Sequence, residues 1–182
     1  MKLERAVMVG HSMGSYNAQR FAIDYPDPHL GSCWWAHNTT LRSEAGLKEF
    51  WDTGVSKLQD PIDPSFALDF QKSTLYRAVP ETFLNTALQG SLKVPARVWK
   101  AAFKGFLEAD FSNELGKIEA PTLIVWGEKD AIFLRHHPEA LAAGIPGSRL
   151  VIYSGTGHAV HWEEPERFAA DLIQFVEDLM EY

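Results

Sequence analysis

What this chain has little of bounds it first. It carries a single cysteine, Cys33, in 182 residues. No internal disulfide can form, and a reducing compartment such as the cytoplasm is the simpler expectation. Basic residues are outnumbered: 17 lysines and arginines against 24 aspartates and glutamates, a formal net charge of -7. Such a balance offers no basic footprint, so neither nucleic acid nor an anionic membrane is expected as a partner. No apolar run approaches the roughly 20 residues of a membrane span. The stretch Met-Lys-Leu-Glu-Arg-Ala-Val-Met-Val is interrupted by Glu4 and is too short in apolar residues for a signal-peptide core. Repeats and low-complexity tracts are absent. Asn38-Thr39-Thr40 fits the glycosylation pattern, but without an export signal it is read as chance.

What is present is an ordinary globular composition, 46% hydrophobic and 23% charged, enough for one domain with a sizeable core. Ala6 to Val9 is a short apolar run ending in Gly10, which predicts a buried parallel strand. A helix follows from Met13 to Tyr25, with Tyr16, Ala18, Phe21, Ala22 and Tyr25 as its apolar face, stopped by Pro26 and Pro28. Leu30 to Ala36 reads as a second strand. From about Asn38 to Asn113, proline breakers separate helix-like pieces too rich in aromatics to stay disordered, which predicts a helical insertion. Strands are expected again at Pro121 to Trp126 and Arg149 to Tyr153, and helices at Pro138 to Ala143 and Pro165 to Met180. Strands alternating with helices predict an α/β fold: a parallel sheet of about four strands flanked by helices.

Gly10-His11-Ser12-Met13-Gly14 lies where the first strand turns into the first helix. A serine at such a junction is held at a strained tip with its hydroxyl exposed, and small neighbours on both sides avoid clashes with strand and helix. The new helix aims its first N–H groups at the same place. A developing oxyanion is stabilised there, and the backbone N–H of Met13 is the natural donor. A serine nucleophile needs a base, and the base needs an orienting carboxylate. Asp130 follows the strand "LIVWG", and His158 follows the next strand in "YSGTGH". All three residues lie beyond the C-terminal ends of strands, where sites form in open α/β sheets.

These residues, with the "PTLIVWGEKD" stretch and Trp162-Glu163-Glu164-Pro165, make the chain resemble the α/β-hydrolase fold superfamily, in particular its esterases, carbon–carbon-bond hydrolases and aminopeptidases. The resemblance implies residues 1–38 and 111–182 as core and 39–110 as the family's variable helical cap. It implies Ser12, Asp130 and His158 as catalytic triad, and no cofactor. A small or medium apolar carboxylic ester is the expected substrate; the alternatives are carbon–carbon-bond hydrolysis or aminopeptidase activity on the same fold, or a catalytically weak oligomerising remnant that keeps the triad. His11, His37, Trp99 and Phe103 are the candidates for the pocket wall. Rival residues stand close by. Glu128 competes with Asp130, and His161 with His158. His136 and His137 are adjacent, a poor pair for one metal, and no Cys or carboxylate cluster lies near them in the sequence, so no metal site is expected. Cys33 is read as a small buried residue.

The family's nucleophile normally follows the fifth of eight strands, whereas here it is residue 12. The resemblance therefore implies that the preceding strands, and the loop that usually gives the second oxyanion donor, are lacking. Loss of one donor costs roughly 10²–10³ in rate. It also implies a bare, apolar outer edge on the first strand, and self-association covering that edge is the expectation.

Overall fold

The computed structural model describes residues 6–26, 29–35 and 44–181, with the side chains of residues 29, 30 and 35 outside the description. Four strands form one parallel sheet in the order β1 (Ala6–His11), β2 (His29–Trp35), β3 (Thr122–Gly127) and β4 (Arg149–Tyr153). The period-two alternation of the strands sorts their side chains onto two faces. Leu123 and Val125 of β3 join Cys33 and Tyr153 on one face, under helix α8 (Pro165–Met180), which contributes Phe168 and Phe175. Ile124 and Trp34 join the other face, under helices α1 (Met13–Asp24) and α6 (His136–Gly144), which contribute Ala18, Ala22 and Leu141. Cys33 is fully buried, and that burial pushes its thiol up to about 12.

Among the described residues, four α-helices lie between β2 and β3: α2 (Ala45–Thr53), α3 (Pro64–Ser73), α4 (Glu81–Leu92) and α5 (Ala96–Glu108). They bury a core of their own around Val55, Leu58, Ile62, Ala67 and Ala96. Asp63 caps α3 by accepting from Ser65 N at 2.8 Å, and Pro64 takes the tolerated first-turn place. Val55 and Leu58, spaced as if they continued α2, fall beyond it in a 3₁₀ turn and the residue that ends it. The last short helix, α7 (Val160–Glu163), connects β4 to α8.

Two expectations are corrected here. The first strand is not the buried strand that its apolar run predicts, and is open as the bare edge implied by the resemblance would have it: Val9 is 47% exposed, and Ala6, Val7 and Met8 are only partly covered. The cause is position. β1 ends the strand order, so no described strand packs on its outer side. The apolar face of α1 is also rotated from the expected one. Tyr25 is 58% exposed and Phe21 partly so, while Ser15 and Gln19 are buried. Ala36, His37 and Asn38-Thr39-Thr40 lie outside the described residues. Among the described residues, no helix is long and apolar enough to cross a membrane.

Candidate active site

Ser12 sits between the end of β1 and the first residue of α1 with φ 52° and ψ -120°. It is the one described non-glycine residue with positive φ. Such a conformation costs on the order of 1–3 kcal/mol and persists only where packing enforces it. Gly10 is the enforcer. A Cβ there would come within 2.6 Å of Gly14 O and 2.8 Å of Ser15 Cα, so strand and helix meet backbone to backbone. Ser15 Oγ then donates to Gly10 O at 2.7 Å across the same turn. Gly14 was expected to be small for the same reason. It is not: a Cβ on it meets no described atom within 4 Å, because Gly14 borders the open cavity beside Ser12. Met13 begins α1, so its N–H has no intrahelical acceptor and stays available at the cavity.

Asp130 and His158 are joined. His158 Nδ1 and Asp130 Oδ2 are 2.9 Å apart, and both side chains are almost completely buried. Asp130 Oδ1 accepts from Ile132 N at 2.8 Å and Phe133 N at 3.0 Å, so both carboxylate oxygens are engaged. The loop before His158 presses on the loop before Asp130. A Cβ on Gly127 would lie 2.0 Å from Gly157 O, and Lys129 N donates to Thr156 O at 2.8 Å. Only glycine at 127 allows that approach. The rival Glu128 accepts from Gly155 N at 3.1 Å instead and is not on the histidine.

β1 and β4 lie three strand spacings apart, about 14 Å at the sheet. The His158 loop has to reach back across that distance. It does so onto His11, whose Nε2 lies 3.3 Å from His158 O and whose ring centre is 4.9 Å from that of His158. Ser12 and His158 line one cavity of about 810 Å³. Among the described residues, the hydrogen bond of the His158 ring goes to Asp130 and none joins it to the Ser12 hydroxyl. Such contacts are commonly long in free enzymes and tighten with substrate. His161, the other rival, packs against His11 with ring centres 4.6 Å apart. Burial, then the neighbouring His158, lowers the His161 pKa to about 4. Burial, followed by His158 and His161, likewise holds His11 well below the usual histidine range.

Of the expected wall residues, His11, Trp99 and Phe103 line the cavity, and His37 lies outside the described residues. Phe50, Phe70 and Phe106 extend the apolar wall, and Glu44 is its carboxylate. No lysine or arginine is among the described lining residues. Trp99 Nε1 is buried without a hydrogen-bond partner.

Two groups escaped the sequence reading. Glu163 accepts from Tyr76 N at 2.9 Å, Arg77 N at 3.1 Å and Gly157 N at 3.1 Å, tying the residues after α3 to the His158 loop. Arg77 adds a bond to Glu164 Oε1 at 2.7 Å. The second is Glu44, which approaches His137 Nε2 at 3.4 Å. That corrects the argument against a metal, which supposed no carboxylate near the histidine pair. The chain folds one in from 93 residues away.

A parallel sheet with a positive-φ serine at one strand end and a buried Asp–His pair beyond two others is the architecture of an α/β hydrolase. A family model of the alpha/beta hydrolase fold matches residues 1–165, and the chain belongs to that family. It is 40% identical over 187 residues to 2-hydroxy-6-oxononadienedioate/2-hydroxy-6-oxononatrienedioate hydrolase 2 of Pseudomonas putida, covering 96% of this chain and 64% of that protein. It is 30% identical over 194 residues to 2-hydroxy-6-oxo-6-phenylhexa-2,4-dienoate hydrolase of Comamonas testosteroni, covering 96% of this chain and 63% of that protein. Among solved structures it is similar to a thermophilic esterase from Thermogutta terrifontis (malate bound), with 26% identity, a TM-score of 0.80, and coverage of 97% of this chain and 66% of that one. The chain thus spans slightly under two thirds of the length of these relatives.

Proposed function

We propose that the protein is a serine hydrolase that cleaves a small or medium ester with an apolar acyl group. Ser12 Oγ attacks the carbonyl carbon. His158 Nε2 takes the hydroxyl proton and returns it to the departing alcohol, and water then releases the acid from Ser12 by the same relay. Asp130 holds the imidazole with Nδ1 protonated and stabilises the imidazolium. The Met13 N–H binds the oxyanion. The observation that carries the reading is the 2.9 Å contact between His158 and Asp130 facing the cavity that Ser12 lines. The wall supports a neutral, apolar acyl group, since its described charged member is a carboxylate.

A second reading, carbon–carbon-bond hydrolysis, is favoured by the 40% identity to the Pseudomonas putida protein. The nucleophile and base are shared, and the leaving group is then a carbon that His158 protonates. A parallel assay decides. A short p-nitrophenyl ester and 2-hydroxy-6-oxo-6-phenylhexa-2,4-dienoate are offered to wild type and Ser12→Ala. The ester reading expects Ser12-dependent release of p-nitrophenol, lost by roughly 10³-fold or more in the variant. Turnover of the dienoate alone replaces it with the second reading, and equal rates in both proteins overturn both.

A further inference from the structure

Outside the triad, one group of ligand-type side chains converges among the described residues. Glu44, His136 and His137 each offer one ligand atom, and the three atoms lie within 4.8 Å of one another. Glu44 is the residue just before α2, and the two histidines open α6. His137 is buried, with 5% of its side chain exposed, and its Nε2 has no hydrogen-bond partner. Glu44 Oε1 at 3.4 Å is beyond the usual hydrogen-bond distance. A buried ring nitrogen without a partner calls for a reason. The His136 ring centre is 3.8 Å from that of His137, on the same side of the helix start.

We propose that Glu44, His136 and His137 bind a divalent transition metal of the zinc class. Two imidazole nitrogens and one carboxylate oxygen are the donors that such borderline cations take, in preference to the all-oxygen sets of calcium or magnesium. Bonds of about 2.0–2.1 Å in a tetrahedron set ligand atoms about 3.3 Å apart. The 3.4 Å between Glu44 and His137 already matches. His136 is exposed, so its side chain is free to rotate into the third position. Water fills the fourth. The ion ties the residue before α2 to the first turn of α6, which directly follows the loop carrying Asp130. It also places a cation against the carboxylate on the cavity wall. The site does not depend on any chemistry at Ser12.

The test is zinc binding to the folded, EDTA-dialysed protein, measured by equilibrium dialysis with elemental analysis. The variants are His136→Ala, Glu44→Gln, Ser12→Ala and His161→Phe. One zinc per chain is expected in wild type, Ser12→Ala and His161→Phe, weakened at least tenfold in His136→Ala and in Glu44→Gln. Zinc at a hundredfold excess over its Kd is expected to raise the melting temperature of wild type by about 5–10 °C, and not that of His136→Ala. His136 is exposed, so loss of binding there is not loss of folding. Wild type that retains no zinc overturns the proposal. So does unchanged binding in His136→Ala and Glu44→Gln, or binding lost only in His161→Phe, which would place the ion on the histidines around Ser12.

Discussion

β1 and β3 are both six-residue, mainly apolar strands, AVMVGH and TLIVWG, yet every residue of β3 is buried while β1 is half open to solvent. The contrast extends to the helices. Around β3 and β4 the buried carboxylate of Asp130 has three partners. Under α1, Gln19 is fully buried with neither amide atom hydrogen-bonded, and Trp34 Nε1 is likewise unpartnered. Ser12 thus stands on the poorly covered half of the sheet, and its two relay residues on the buried half. Apolar character in a strand reports that it belongs in a sheet. Neighbours on both sides decide whether it is buried.

The largest expected effect comes from truncating both strands. Leu123→Ala in β3 removes a fully buried side chain and is expected to cost about 2–5 kcal/mol in chemical denaturation. Val7→Ala in β1 is expected to cost about 1 kcal/mol or less. Equal costs would erase the distinction between the halves.

Acid is the next lever, and it acts where the halves meet. His161 faces His11 from β1 and His158 from the loop after β4, and its folded pKa is lowered to about 4. Its unfolded value is near 6.5. The unfolded chain therefore takes up the proton first as pH falls. Stability is full above about 6.5 and is lost progressively down to about 4, by up to about 3 kcal/mol from this group. His161→Phe is expected to flatten that slope in denaturation between pH 7 and 4, and an unchanged slope would remove His161 as its source.

Smaller changes sharpen the contrast on the open half. Gln19→Met, of similar volume, is expected to stabilise the chain by about 1 kcal/mol, since it removes two unsatisfied polar groups. Destabilisation in a thermal melt would mean the amide has work to do. Val9→Lys is expected to leave stability within about 0.5 kcal/mol and to shift the chain toward monomer in sedimentation at micromolar concentration. Wild type that sediments as a monomer would end the expectation that copies pair through β1.

The legible parts of this protein were local. The strand–Gly–x–Ser–x–Gly–helix junction, the strands ending at Gly127 and Tyr153, and the stripe of α8 all declare themselves within a dozen residues. Asp130 and His158 could be singled out because each follows a strand and a glycine. The roles of Glu163 and Glu44 could not. Glu163 meets Tyr76 across 87 residues and Glu44 meets His137 across 93, and no spacing in the sequence encodes such contacts. The apolar run of β1 by itself predicts burial, and only the resemblance, which implies a bare outer edge, points to its openness, since an edge is a property of the sheet. Gly14 failed differently. The motif suggested a steric demand that its surroundings do not make.

The most direct measurement of the central claim is reaction with a fluorophosphonate probe, mapped by peptide mass spectrometry in wild type, Ser12→Ala and His158→Ala. One adduct per folded chain on Ser12, absent in Ser12→Ala and slowed by roughly 10³-fold or more in His158→Ala, is the predicted result. No adduct on Ser12 in the folded wild type, or one forming equally fast without the imidazole, would contradict the account.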